Sequence, residues 1–152
     1  MKKNVLKSIQ LTILAGVLVF ASCDKTDTTT PPEIKNIAAT NHDDNTTVIP
    51  RGGTISVNFE AVAKNDGRLD WYHIEIHDHP ESGLVEDEYR IIDDSFMDKV
   101  TFKGLKNANV HEHIIVPAEA NLGAYHVVIT VVDEYGNSVD TEDVDVSIAI
   151  IE

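Results

Sequence analysis

Histidine is the residue type whose spacing offers chemistry in this chain. Six of the seven histidines fall in three groups, His73-x-x-x-His77-x-His79, His111-x-His113 and His126, while His42 stands apart in a polar turn. On an extended strand, residues i and i+2 project from the same face about 6.5–7 Å apart. A His-x-His pair can therefore offer two imidazoles to one ion, with a third from a neighbouring strand. Neutral imidazole suits zinc, copper or nickel, and Glu75, Asp78 or Glu112 can complete a shell or orient a ring. The expected ligand set is His77, His79 and His126, with His73, His111 and His113 as additional candidates. The competing reading is a solvated face rich in histidine that holds no ion.

Other chemistries find no support. Gly-x-Ser-x-Gly, Walker and Gly-x-Gly-x-x-Gly motifs are absent, so a catalytic role is not expected. The acidic groups at Asp43-Asp44, Glu86-Asp87-Glu88, Asp93-Asp94 and Glu142-Asp143 lack the spaced oxygens and glycine of a calcium loop and read as solvated.

The elements that must position the histidines are strands. Gly123 to Asp133 alternates Tyr125, Val127, Ile129 and Val131 against His126, Val128, Thr130 and Val132, and ends in the turn residues Asp133 to Asn137. Beyond that turn, Val144, Val146, Ile148 and Ile150 share a side with which Val139 is out of step, so a bulge is expected near Thr141 to Asp143. Thr54 to Val62 alternates cleanly, and Trp71 to His79 sets Tyr72, Ile74 and Ile76 against His73, Glu75, His77 and His79. Val110 to Val116 turns Val110, Ile114 and Val116 inward and His111 and His113 out. Glu33 to Thr40 reads as a first edge strand that Thr47 to Ile49 continues, Glu86 to Ile92 as a short edge strand, Asp93 to Asp98 as a loop, and Lys99 to Lys103 as a strand.

Seven to nine strands with no convincing helix period define an all-β chain, and the Gly-x-Tyr, strand and Asp-x-x-Gly-Asn succession resembles the end of an immunoglobulin-like β-sandwich. Tyr125 stands where a tyrosine-corner residue would. In that connectivity the strands bearing His77 and His126 are antiparallel neighbours, with cross-strand Cβ atoms about 4.5–5.5 Å apart. The strand bearing His111 and His113 normally belongs to the opposite sheet, far from the others; were His77 and His126 found apart, those two would be the remaining chelating pair, with the third ligand unassigned.

The N-terminus reads as an address. Residues 1–22 combine Lys2, Lys3 and Lys7 with an apolar run too short to span a bilayer, the pattern of a secretory signal peptide. Phe20-Ala21-Ser22-Cys23 resembles a lipobox, making Cys23, the only cysteine, the lipidated first residue of the mature chain. Residues 23–32 are then the lipidated cysteine and a flexible tether, and residues 33–152 the sandwich domain. With the three leader lysines removed, the formal charge of −14 becomes −17, which repels nucleic acid and suits cations.

The segments Ile74-Glu75-Ile76-His77, His111-Glu112-His113-Ile114-Ile115-Val116-Pro117-Ala118-Glu119-Ala120, Leu122 to His126 and Val131 to Asn137 resemble a family of bacterial lipoproteins known as domain of unknown function 4625. The resemblance implies a lipoprotein of the Bacteroidota cell envelope with an Ig-like domain and no assigned reaction. The expectation is a non-enzymatic binding domain, anchored to the membrane through the Cys23 lipid, most simply at the outer membrane on its periplasmic or surface face. It would bind a divalent metal ion. The alternative is an Ig-like adhesion or ligand-presenting accessory module, with Trp71 and Tyr72 as the aromatics for a protein or glycan partner.

Overall fold

The structure is a computed structural model that describes residues 28–141 and 144–149. The expected signal peptide (1–22), the lipidated Cys23, the tether as far as residue 27, the acidic pair Glu142-Asp143 and Ile150 lie outside the described residues. Among the described residues no helix is long and apolar enough to cross a membrane.

Among the described residues nine strands form: β1 Glu33–Asn41, β2 Val48–Pro50, β3 Thr54–Val62, β4 Leu69–Asp78, β5 Arg90–Phe96, β6 Asn107–Ile115, β7 Gly123–Asp133, β8 Ser138–Asp140 and β9 Asp145–Ala149. They make a three-stranded sheet, β1-β3-β6, and a second sheet ordered β2-β9-β7-β4-β5, with β8 also pairing β7. All pairings are antiparallel except β2 with β9. The two sheets pack as a sandwich, as the alternation requires: Ile55, Val57, Phe59 and Ala61 from β3 meet Tyr72, Ile74 and Ile76 from β4 and Tyr125, Val127, Ile129 and Val131 from β7 in one core.

The corner at the start of β7 forms as expected. Tyr125, fully buried, donates from its hydroxyl to the carbonyl of Asn121 at 2.9 Å, pinning the crossover to the strand that follows it. Burial, and then the neighbouring Asp78, push the phenol up to about 12, above its ordinary value of 10.0. A raised folded-state value means that the stabilising contribution is full below about pH 10 and is lost as pH rises through about 12. Tyr125→Phe is therefore expected to cost about 1 kcal/mol at neutral pH and to make stability fall less steeply above pH 10, read from urea midpoints across that range. An unchanged alkaline slope would show that the phenol does not titrate with unfolding.

The register on β7 shifts between β8 and β9; of the bulge expected near Thr141 to Asp143, residues 142–143 lie outside the described residues. Thr130 pairs with Asp140 on β8, but His126 pairs with Asp145 on β9, one residue out of step. The slip lets Val139 and Val146, of opposite parity, both face the core.

Four expectations are corrected. Thr47 to Ile49 does not continue the first edge: the chain crosses to the other sheet, where β2 runs parallel to β9. Asn41 closes the crossing turn, accepting from Asp43 N–H at 3.1 Å and donating to the Val48 carbonyl at 3.2 Å. Residues 86–92 are a 3-10 turn at Val85–Asp87 followed by the start of β5, and the acidic stretch at Asp93-Asp94, read as a loop, lies in the middle of that strand. An edge strand tolerates such residues because its outer positions are solvated. Finally, Lys99 to Lys103 is a turn, closed by Phe102 N–H and Lys103 N–H on the Lys99 carbonyl at 2.9 and 2.8 Å, with Gly104 at φ +79° turning the chain out of it.

Candidate metal centre

The alternation of β4 puts Tyr72, Ile74, Ile76 and Asp78 into the core and leaves His73, Glu75 and His77 on the outer face. On one side His77 pairs with His126 of β7 and Glu75 with Val128; on the other, His77 pairs with Arg90 of β5 and Glu75 with Asp93. Burial of Ile76 and Tyr125 fixes this register, because a slip of one residue would turn both imidazoles inward.

The face therefore gathers three rings. His77 and His126 have centroids 5.9 Å apart, His77 and His79 5.7 Å, and His79 and His126 4.0 Å. His126 Nδ1 lies 2.5 Å from Asp145 Oδ1 of β9. His77 Nδ1 lies 3.1 Å from Glu75 Oε1, yet the direction is wrong for a hydrogen bond. It is the buried side-chain polar atom left without a partner among the described residues.

Among the described residues, two groups have ligand atoms all within 4.8 Å of one another: Glu75, His77 and Glu88, and His73, Glu75 and Asp93. Both are laced by internal pairs. Arg90 Nε is ion-paired with Glu75 at 3.0 Å and a terminal nitrogen donates to Glu88 at 2.9 Å, and His73 lies 3.0 Å from both Asp93 and Ser95 Oγ. The Glu88 bond, with the neighbouring Glu75 and Asp93, holds the Arg90 guanidinium above its ordinary value. The carboxylates of this face already carry a cation, so the nitrogens without one are the more available ligands. The nitrogens of His77, His79 and His126 are not among the groups within 4.8 Å, so an ion at that cluster requires ring rotation. His79, at the exposed end of the strand, has that freedom.

Of the six expected ligands, the structure brings His77, His79 and His126 together and separates the rest. His73 is four residues along β4 from His77, about 13 Å, and takes part in a different group. His111 and His113 lie on the outer face of the other sheet, which points away from the first across a core about 10 Å thick. Glu112, considered as a shell ligand, faces inward and accepts from Tyr72 at 2.5 Å and Lys99 at 2.7 Å. Asp78 is buried and engaged by Tyr89 N–H and Asn121. Tyr72, named as a contact aromatic, is 1% exposed, its phenol pushed up by burial and by Glu112, so Trp71 alone of that pair reaches the surface. Sequence spacing missed Glu88, Arg90 and Asp145, which come from strands or turns whose edges carry little apolar signal.

Fold and site together define a two-sheet β-sandwich with histidine clusters on its outer faces. The chain belongs to the family described as Domain of unknown function (DUF4625), whose model matches residues 21–151. No curated protein matches it. Among solved structures, it is similar to the Pseudomonas fluorescens alkylpurine DNA glycosylase AlkC bound to DNA containing an abasic site analog, at 12% identity and a TM-score of 0.48, over 80% of this chain and 31% of that one. It is also similar to a beta-glucosidase from Listeria innocua in complex with glucose, at 7% identity and a TM-score of 0.42, over 80% of this chain and 16% of that one. The chain thus spans less than a third of either protein.

Proposed function

We propose that this domain is a non-catalytic binding module that holds a first-row divalent transition metal ion on the β7–β4–β5 face through His77, His126 and His79. The observation that carries this reading is the partnerless buried nitrogen of His77, beside two further imidazoles and the Glu75 carboxylate. A buried polar atom without a partner costs about 1–3 kcal/mol, a cost that a coordinated ion removes. Imidazole nitrogens select zinc, copper or nickel over magnesium or calcium. In the same proposal the module is exported and anchored through the Cys23 lipid in the cell envelope, at the outer membrane, where its acidic surface favours cations over nucleic acid.

Thermal melts of the full chain in detergent test the site. Free zinc at about 100 times its dissociation constant is expected to stabilise the native state by about 2.7 kcal/mol, raising the midpoint by roughly 10 °C. His77→Ala with His126→Ala should remove that share of the shift, and acidification should reverse it, because imidazole must be neutral to bind. An identical zinc shift in the double variant would exclude this site. Binding of a protein or glycan partner that survives chelator would favour the adhesion reading instead.

A further inference from the structure

The outer face of the β1-β3-β6 sheet carries a second histidine cluster, and it includes the one histidine that spacing alone sets aside. His42 directly follows β1, and its backbone N–H continues the ladder by donating to the Thr54 carbonyl at 2.9 Å. On the central strand, Ser56 pairs with Thr40 on one side and His113 on the other. Serine is too small to keep the flanking side chains apart. The rings of His42 and His113 close over it with centroids 4.4 Å apart, leaving Ser56 only 5% exposed on a face that points to solvent. His111, two residues from His113, adds a third ring at 4.5 Å.

The sheet also orients two of the rings. His111 Nδ1 lies 2.5 Å from Asn58 Oδ1, and since an amide oxygen only accepts, Nδ1 carries the proton and Nε2 the lone pair. His42 Nδ1 is engaged by Ser56 Oγ at 3.1 Å, again leaving Nε2 as the outward nitrogen. This is the arrangement by which metal-ligating histidines are fixed from behind.

The geometry points to a second divalent transition-metal site, formed by His42, His111 and His113. It shares no residue with the His77 cluster and does not rest on that reading. The three nitrogen sets are not among the groups within 4.8 Å, so the ion draws the rings together. All three side chains are exposed, so that rotation disturbs no core packing. His113, between the other two, is the ligand common to both close pairs.

Zinc titration of the full chain by calorimetry tests this in a His77→Ala, His126→Ala background, where the first cluster is disabled. One zinc per chain is expected to remain. Adding His42→Gln should weaken that binding at least about 10-fold, and Asn58→Ala, which touches no ion, should weaken it by about 10–100-fold. Ring signals of His42 in NMR spectra should shift on zinc addition. Retained affinity on loss of His42, with unmoved ring signals, would reduce the cluster to a His111-x-His113 pair and overturn the proposal. So would absence of zinc binding in a background variant that melts as the parent does.

Discussion

Phe102→Ala is expected to destabilise the domain by about 3–5 kcal/mol, the cost of deleting a fully buried aromatic ring. Phe102 sits in the turn after β5 and is 1% exposed. Its ring meets that of Tyr72 edge-on at 4.8 Å, and Tyr72 in turn stacks on Phe96 at 4.7 Å and meets Phe59 at 5.5 Å. The turn has no ladder to hold it. Besides the bonds of Gly104 N–H to Leu69 and of Leu69 N–H to Leu105, both 2.8 Å, and the surface ion pairs of Lys99 with Glu112 at 2.7 Å and Lys103 with Asp70 at 2.9 Å, Phe102 is the side chain of the turn that is buried in the core. Val100, two residues earlier, is 88% exposed, so Val100→Ala should change stability by no more than about 0.5 kcal/mol. Urea unfolding of both variants checks the contrast; a loss under about 1 kcal/mol for Phe102→Ala would mean that the turn can collapse into the vacated space.

Asp78→Ala should cost about 2–4 kcal/mol, because it strands groups that a buried carboxylate now satisfies. Asp78 Oδ1 accepts from Tyr89 N–H at 2.8 Å and Oδ2 from Asn121 Nδ2 at 2.7 Å, while its own N–H donates to Tyr89 at 3.1 Å. One side chain thus ties the end of β4 to the approach to β5 and to the crossover that Tyr125 also grips. Its neighbours in sequence are His77 and His79. The same substitution is therefore expected to weaken zinc binding at their face while leaving the His42 cluster untouched. Asp78→Asn keeps the bond from Tyr89 but sets an amide donor against Asn121, and should recover only part of the loss. Zinc affinity unchanged in a destabilised Asp78→Ala would separate the clamp from the site.

The alternating stretches were legible because burial on one face imposes period two on sequence. In Thr54 to Val62, Trp71 to His79 and Gly123 to Asp133, the apolar parity read from sequence is the parity buried in the core. That parity also sets His77 and His126 on a common outer face, and the register pairs them directly. The short and polar elements were not legible. Arg90–Phe96 carries Asp93 and Asp94 at its centre because an edge strand is held by backbone bonds to β4, which composition does not reveal. Lys99 to Lys103 offered Val100 and Phe102 in phase, but two residues are too few to distinguish a strand from a turn with one buried anchor.

By itself the sequence determined an all-β sandwich, its family, the inward and outward parity of the long strands, and hence which histidines are presented to solvent. Parity is a local property, written into every second residue. The meeting of His42 with His113 was decided by the tertiary structure alone. His42 reaches His113 only because β3 runs between their strands with a serine at the crossing point, and Arg90 stands opposite His77 only because a bulge between Ile76 and His77 shifts the β5 register. Strand order and register depend on contacts between residues distant in the chain, and spacing along a single strand carries no record of them.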